Sequence, residues 1–410
     1  MLRHLILPRE QMRGDGYMSR WRVLFAVGPG DAVSSYDQWL QGDSKDGGTS
    51  LTYTAQTLDF CRDTGVQAWL ISSCDRTDIR HDTNITIENR PKPPCAPSSP
   101  GYHWQQWLYY KSLAQTARNF RATHLVIDSG SSHWFMWWSL AFSGIKVYLS
   151  FHNTYYPIGH WQPTFARNII RFLDGVFFKW GSDGALGVSD ECRKQYVELG
   201  GNADRFVVYN ALFDQHDFEK FAVRSLGADN KRIAYVGRIE ASKGVFDLLA
   251  AFELLLSKSP DISVSLDYCG NGSELDDLRI RIKASDLLRG RVTIHGQLAR
   301  TALLEVYRDC HVVVVPTTSH FMEGFPKVCA EAVLAKRPLV ISTAVPTIEG
   351  LKEAACIYPC DQPAELMKAL LTLLTNSRLY HDKSQNASQI GRNFFDPNKG
   401  LNIALQSVMR

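Results

Sequence analysis

The sequence predicts an α/β protein of two units, each a parallel sheet covered on both faces by helices. Three observations carry this. From Trp21 onward, short β-rich runs alternate with longer segments of helical period, the pattern that generates parallel sheets. At 410 residues the chain exceeds what one hydrophobic core usually supports. Composition then turns polar through NALFDQHDFEKFAVRSLGADNKR, which places a linker at about 212–230.

Taken in order, residues 1–19 carry only a short apolar patch broken by charge and Pro8, shorter than a secretory core or a membrane span. They are predicted to be a disordered tail, with Met18 a candidate natural start. Strands are expected at RVLFAV, QAWLIS, HLVID, KVYLSF and VVY in the first half. In the second half they are RIAYVG, VSLDYCG, RVTIHG, HVVVVP and PLVIS. Residues 83–101 hold Pro91, Pro93, Pro94, Pro97 and Pro100, so they read as a surface insertion with neither helix nor central strand. After Gly244, the residues Val245, Leu248, Leu249, Phe252, Leu255 and Leu256 fall on one helical face.

Composition excludes some functions. Hydrophobic residues at 45% and charged residues at 21% describe an ordinary soluble protein, and a formal charge of +3 is too small to argue for nucleic acid. Nine cysteines lack the paired spacing of a zinc site or a disulfide framework, which points to a reducing cytoplasm. Cys356 and Cys360 are the one close pair, without nearby His, so no metal is expected. GPGDAV after the first strand lacks the third glycine of a dinucleotide fingerprint.

The chemistry concentrates in two loops. In RIAYVGRIEASKG a strand ends at Gly237, Arg238 and Lys243 come next, and a helix starts near Gly244. Ligands of open α/β sheets bind at strand carboxyl ends, and a helix start presents unpaired N–H groups to an anion, so two cations there suit a diphosphate. The other reading is a solvated loop with ordinary surface charges. In EGFPKVCAEAVLAKRPLV, Glu323 stands in the loop after a buried strand, Pro326 suits the first turn of a helix, and Glu331 lies about two turns further on. Two carboxylates so placed can accept hydrogen bonds from sugar and ribose hydroxyls. The bland reading makes Glu331 a surface residue and Glu323 a partner of the helix dipole.

GRIEASKG, LDYCGNGSELDDL, VTIHGQL and VVVVPTTSHFMEGFPKVCAEAVLAKRPLV, in that order and spacing, resemble the donor half of family 4 of the retaining glycosyltransferases. The resemblance implies a GT-B fold, two Rossmann-like domains facing each other across a cleft. It implies an acceptor-side domain at 20–215, a nucleotide-sugar domain at 216–390, and a helix in 391–410 returning to the first domain. Arg238 and Lys243 match the pair that grips the donor diphosphate, with Gly237 at the strand end. Glu323 matches the residue near the donor sugar and Glu331 the one holding ribose, while Gly324 and Phe325 match the turn whose amides face the donor. In the first half Gly47 and Gly48 resemble the family's glycine loop, and His152 stands where many members carry a histidine near the transferred sugar. STAVPTIEG departs from the family's glycine pair with Val345 and Pro346, and Glu349 is then the candidate for the acidic position.

The activity that this resemblance implies is retaining hexosyl transfer from a nucleotide diphosphate sugar, UDP- or GDP-linked, to a hydroxyl acceptor, in polysaccharide or glycolipid synthesis. No cofactor and no metal are implied, because the leaving diphosphate is stabilised by cations and amides. The alternatives are a sugar-nucleotide epimerase and a non-catalytic sugar-nucleotide binder. The acceptor is a carbohydrate or a lipid-linked molecule. HWFMWWSLAFSGIK and WQPTFARNIIRFLDGVFFKW mix aromatic residues with Arg167, Arg171 and Lys179, which suits either a buried domain helix or peripheral contact with the inner face of a membrane. Localisation is read as cytoplasmic.

Overall fold

A computed structural model describes residues 20–45, 47–92, 101–158, 164–227, 230–346 and 348–410. The predicted tail at 1–19, His160, Trp161, the prolines at 93–100 and the Glu349 side chain lie outside the described residues.

The first half builds one sheet from β1 (Arg22–Pro29), β2 (Gln67–Ser73), β3 (Asp78–His81), β4 (Ile85–Asn89), β5 (His124–Asp128), β6 (Lys146–Phe151), β7 (Gly184–Gly187) and β8 (Phe206–Val208). Their spatial order is β3-β4-β2-β1-β5-β6-β7-β8. All pairings are parallel except β3 with β4. The second half builds another from β9 (Lys231–Val236), β10 (Val264–Cys269), β11 (Val292–Gly296), β12 (Val312–Val315), β13 (Leu339–Ser342) and β14 (Ala355–Tyr358), ordered β11-β10-β9-β12-β13-β14 and parallel throughout. Strands such as Val312–Val315 are buried along their whole length because helices cover both faces.

One expectation is corrected. The stretch 83–101 is not simply an insertion, since Ile85–Asn89 pairs in parallel with β2 and antiparallel with β3, with Ile87 fully buried. The prolines begin only at Pro91, after this strand ends, and the alternating pattern of ITIEN outweighs their punctuation. The helix Gly101–Asn119 comes next. Strands β3 and β14 are likewise additions to the strands expected from the sequence.

In both sheets the strand order reverses once, between β1 and β5 and between β9 and β12. Such reversals open a crevice at the strand carboxyl ends, because the loops leave in opposite directions. The helix Val245–Lys258 buries the seven residues Val245, Leu248, Leu249, Ala251, Phe252, Leu255 and Leu256, which contain the predicted face entire. Around the linker, Ala211, Phe213, Phe218 and Phe221 pack in a core of the second half. The helix Leu401–Val408 packs back on the first half, where the Leu401 N–H donates to Gln56 Oε1 at 2.9 Å.

Candidate active site

The β9 loop and the β12 loop are locked together by hydrogen bonds. Thr318 donates through its N–H (3.1 Å) and its hydroxyl (2.9 Å) to the Ser242 carbonyl. Gly244 makes this approach practicable. Its φ is +73°, and a Cβ there would sit 1.8 Å from the Pro316 carbonyl oxygen, so no other residue fits between the two strand ends.

This locking brings Lys243 and Glu323 into an ion pair of 2.5 Å, with both side chains largely shielded from water. Thr317 Oγ1 adds a weak contact to Glu323 at 3.5 Å. The Lys243 ammonium also stands over the Phe321 ring at 3.8 Å, and the Arg238 guanidinium lies 5.6 Å from the same ring. Arg238 is exposed and pairs with Glu240 at 2.7 Å. The Tyr235 hydroxyl donates to the Arg238 carbonyl at 2.6 Å and fixes the loop leaving Gly237. Arg238, Lys243 and Glu323 therefore share one face of the second half, held by Phe321.

Glu331 is buried, which removes the reading of it as a surface residue. It sits inside the helix Lys327–Leu334, for which Pro326 is the cap and not the first helical residue. One carboxylate oxygen accepts from the Thr49 hydroxyl and the other from the Tyr307 hydroxyl. The first of these bonds joins the two halves. Gly47 and Gly48 are exposed in the loop just before Thr49, and Gly47 has φ +70°. The loop is tied down beyond them by the Leu51 N–H donating to the Leu212 carbonyl at 2.8 Å.

The halves also meet at the Gly324 turn. A Cβ on Gly324 would lie 1.9 Å from the His152 carbonyl oxygen, so this glycine is set by the opposing backbone. Phe325 packs on the cores of both halves. Lys327, one turn on, stands over the Tyr53 ring at 5.0 Å, and burial draws its pKa down.

His152 turns its ring into the first half. Nε2 lies 3.0 Å from Asp128 Oδ2, Nδ1 lies 3.1 Å from the Tyr209 hydroxyl, and the ring rests on Tyr53 at 4.7 Å between centroids. It lines a cavity at the carboxyl ends of β1, β5 and β6, together with Gly28, Pro29 and Asn153. What His152 offers the second half is its carbonyl.

Sequence reasoning missed Phe321, Thr49, Tyr307, Asp128 and Lys327. Phe321 and Lys327 lie inside the VVVVPTTSHFMEGFPKVCAEAVLAKRPLV motif and carry a readable signal there, as an aromatic between charged loops and a lysine on an apolar helix. The other three had no sequence signal, because their importance comes from partners far away in the chain. Among the described residues no group of three His, Cys, Asp or Glu side chains converges as a metal site.

Residues 217–390 match the family model for glycosyl transferases group 1. The match covers most of the second half and none of the first. The chain's curated relatives include a glycogen synthase from Mycobacterium tuberculosis, 35% identical over 134 residues, 33% of this chain and 30% of that protein. A D-inositol 3-phosphate glycosyltransferase from Corynebacterium glutamicum is 26% identical over 169 residues, 40% of each chain. The chain thus spans less than half the length of these curated relatives. Solved structures extend the likeness to both halves. HepE from Anabaena, in complex with UDP, superposes with a TM-score of 0.64 at 16% identity, covering 95% of this chain and 99% of that one. Sucrose-phosphate synthase from Thermosynechococcus elongatus gives 0.69 at 16%, covering 95% and 98%. The fold is GT-B, and the residues that match the group 1 model build its second sheet.

Proposed function

We propose that the protein is a retaining glycosyltransferase that moves a hexosyl unit from a nucleotide diphosphate sugar to a hydroxyl acceptor, without a metal, in polysaccharide or glycolipid synthesis. The observation that carries this reading is the pairing of Lys243 with Glu323 beside Arg238, at adjoining strand ends of a glycosyl transferase group 1 domain.

Lys243 and Glu323 neutralise each other. An arriving diphosphate draws Lys243 and the exposed Arg238 to its oxygens, with the backbone at Gly237, Gly324 and Phe325 alongside. Glu323 then accepts from the sugar hydroxyls and Glu331 from the ribose. The loop at Gly47 and Gly48 closes over the donor from the other half. His152, oriented by Asp128 and Tyr209, borders the sugar.

Transfer proceeds by front-face substitution. The bond between the anomeric carbon and the diphosphate oxygen breaks, the acceptor oxygen bonds to the same face of that carbon, and the departing diphosphate takes the acceptor's proton. The protein's task is to stabilise negative charge on the leaving group, which Arg238 and Lys243 do electrostatically. The UDP complex of HepE makes a UDP-sugar the first donor to test and a GDP-sugar the second.

A thermal-shift screen of UDP-, GDP- and ADP-sugars tests donor binding, since a ligand that binds only the folded state raises Tm. Product analysis by NMR comes second, with chelator present throughout. The expected result is transfer with retained anomeric configuration. Interconversion of the donor sugar without acceptor would identify an epimerase, and binding with neither transfer nor slow donor hydrolysis a non-catalytic binder. Stabilisation by no sugar nucleotide would end the reading.

A further inference from the structure

The helix Phe165–Trp180 has two apolar faces. Its inner one buries Phe177 and Phe178, with Asp174 between helix and core, where the carboxylate accepts from the Phe135 N–H and the Tyr155 hydroxyl, each at 2.8 Å. The outer one is a row at helical spacing: Phe165, Ile169, Phe172, Val176 and Trp180. Phe165 is 83% exposed, Phe172 69% and Trp180 66%. Phe142, 80% exposed, adjoins the same helix through Trp138, which stacks on Phe142 and meets Phe177 edge-on. A soluble domain helix needs only one apolar stripe, so a second one facing water marks a surface that is covered in use.

Charge decides what covers it. Arg167, Arg171 and Lys179 flank the row, and the helix's sole acidic residue, Asp174, is buried on the opposite face. The nearby Glu198 accepts from the Tyr156 hydroxyl. An isologous contact between two copies would set these basic residues against each other, whereas an anionic lipid surface complements them while taking the aromatic row into its headgroup boundary.

We propose that the outer face of the Phe165–Trp180 helix docks the protein on an anionic bilayer surface, with Phe165, Phe172, Trp180 and Phe142 inserted at headgroup depth. The helix lies in the plane of the interface and does not cross it; among the described residues no helix is long and apolar enough to span a membrane. Its inner face, through Ile170 and Asp174, lines a cavity that also holds Asn153 and Met322. Under the transferase reading, a lipid-linked acceptor in that bilayer would need to pass only one helix thickness, about 10 Å, to reach the cavity. The docking itself does not depend on that reading.

The test is co-sedimentation of the full chain with vesicles of phosphatidylcholine alone and of phosphatidylcholine mixed equally with phosphatidylglycerol. The wild type is expected to pellet with the anionic vesicles and not with the neutral ones. Phe165→Ser/Phe172→Ser/Trp180→Ser should abolish binding with Tm unchanged, because all three side chains already face solvent. Arg171→Glu/Lys179→Glu should weaken binding by roughly thirtyfold or more, counting about fivefold per basic residue. Wild-type protein that stays in the supernatant with anionic vesicles overturns the proposal, as does a triple variant that pellets undiminished. So does light scattering that finds a wild-type dimer converted to monomer by the triple variant, since the occupant is then a second copy. Vesicle binding by a protein that no sugar nucleotide stabilises leaves the docking intact and refutes the transferase reading.

Discussion

Gly324→Ala isolates the contact between the two halves. Gly324 is not among the glycines with positive φ, so alanine costs little in the local backbone. Its methyl group would nevertheless lie 1.9 Å from the His152 carbonyl oxygen, and real Cβ contacts essentially never fall below 3.0 Å. The turn and the opposing backbone must therefore separate by at least about 1.1 Å, the difference of those two distances. Overpacking of this kind costs about 1–3 kcal/mol, which lowers the population of the closed arrangement roughly five- to 150-fold. Because the added methyl meets His152 while the Gly324 N–H and Lys243 stay within the second half, donor affinity should fall less than turnover, which drops by about 10²-fold through misplacement of the halves. Calorimetry gives the donor affinity, donor hydrolysis or transfer gives kcat, and small-angle scattering with and without donor reports closure. A variant whose kcat stays within about twofold of wild type, and whose donor-bound scattering matches the wild type's, would show that the contact has no part in the reaction.

Three further outcomes test the same geometry. Lys243→Ala should lower kcat by about 10²- to 10³-fold and also lower Tm, because Glu323 loses its ion partner while shielded from water; a Lys243→Ala/Glu323→Ala variant should recover the Tm but not the activity. Thr49→Val removes the hydroxyl that Glu331 accepts from across the boundary, a bond to a charged group worth about 1.5–3 kcal/mol, so limited proteolysis should cut faster near Gly47 and Gly48; an unchanged cleavage rate would contradict the assignment. Burial raises the Asp174 pKa from 3.8 to about 7. The folded protein then keeps a proton that the unfolded chain releases, so stability is greatest below pH 3.8 for this group, declines as pH rises to about 7 and is flat above. The decline is up to about 4 kcal/mol. Asp174→Asn should lose most of it, seen as urea midpoints that differ less between pH 5 and pH 8 than the wild type's; equal pH dependence in both proteins would refute the burial argument.

Most of the second half was legible in the sequence. Its central strand Val312–Val315 is buried on both faces and reads as an unbroken apolar run, and Arg238, Lys243, Glu323 and Gly324 sit in loops whose place after a strand is fixed by local pattern. The edge of the first sheet was less legible. Ile85–Asn89 alternates correctly for a strand, but five prolines at 91–100 come just beyond it and masked the signal. For the helix Phe165–Trp180, periodicity announced apolar residues without saying which face turns inward, because both stripes repeat with the same 3.6-residue period.

The sequence by itself determined two parallel sheets and the strand-end loops that carry the charged residues, since hydrophobic periodicity and loop chemistry are properties of neighbours in the chain. Only the tertiary structure decided that Thr49 meets Glu331, that His152 faces Gly324 through its carbonyl, and that Phe321 lies beneath both cations. Thr49 and Glu331 are 282 positions apart, and a contact of that separation arises from how the two halves pack on each other, which no local pattern encodes.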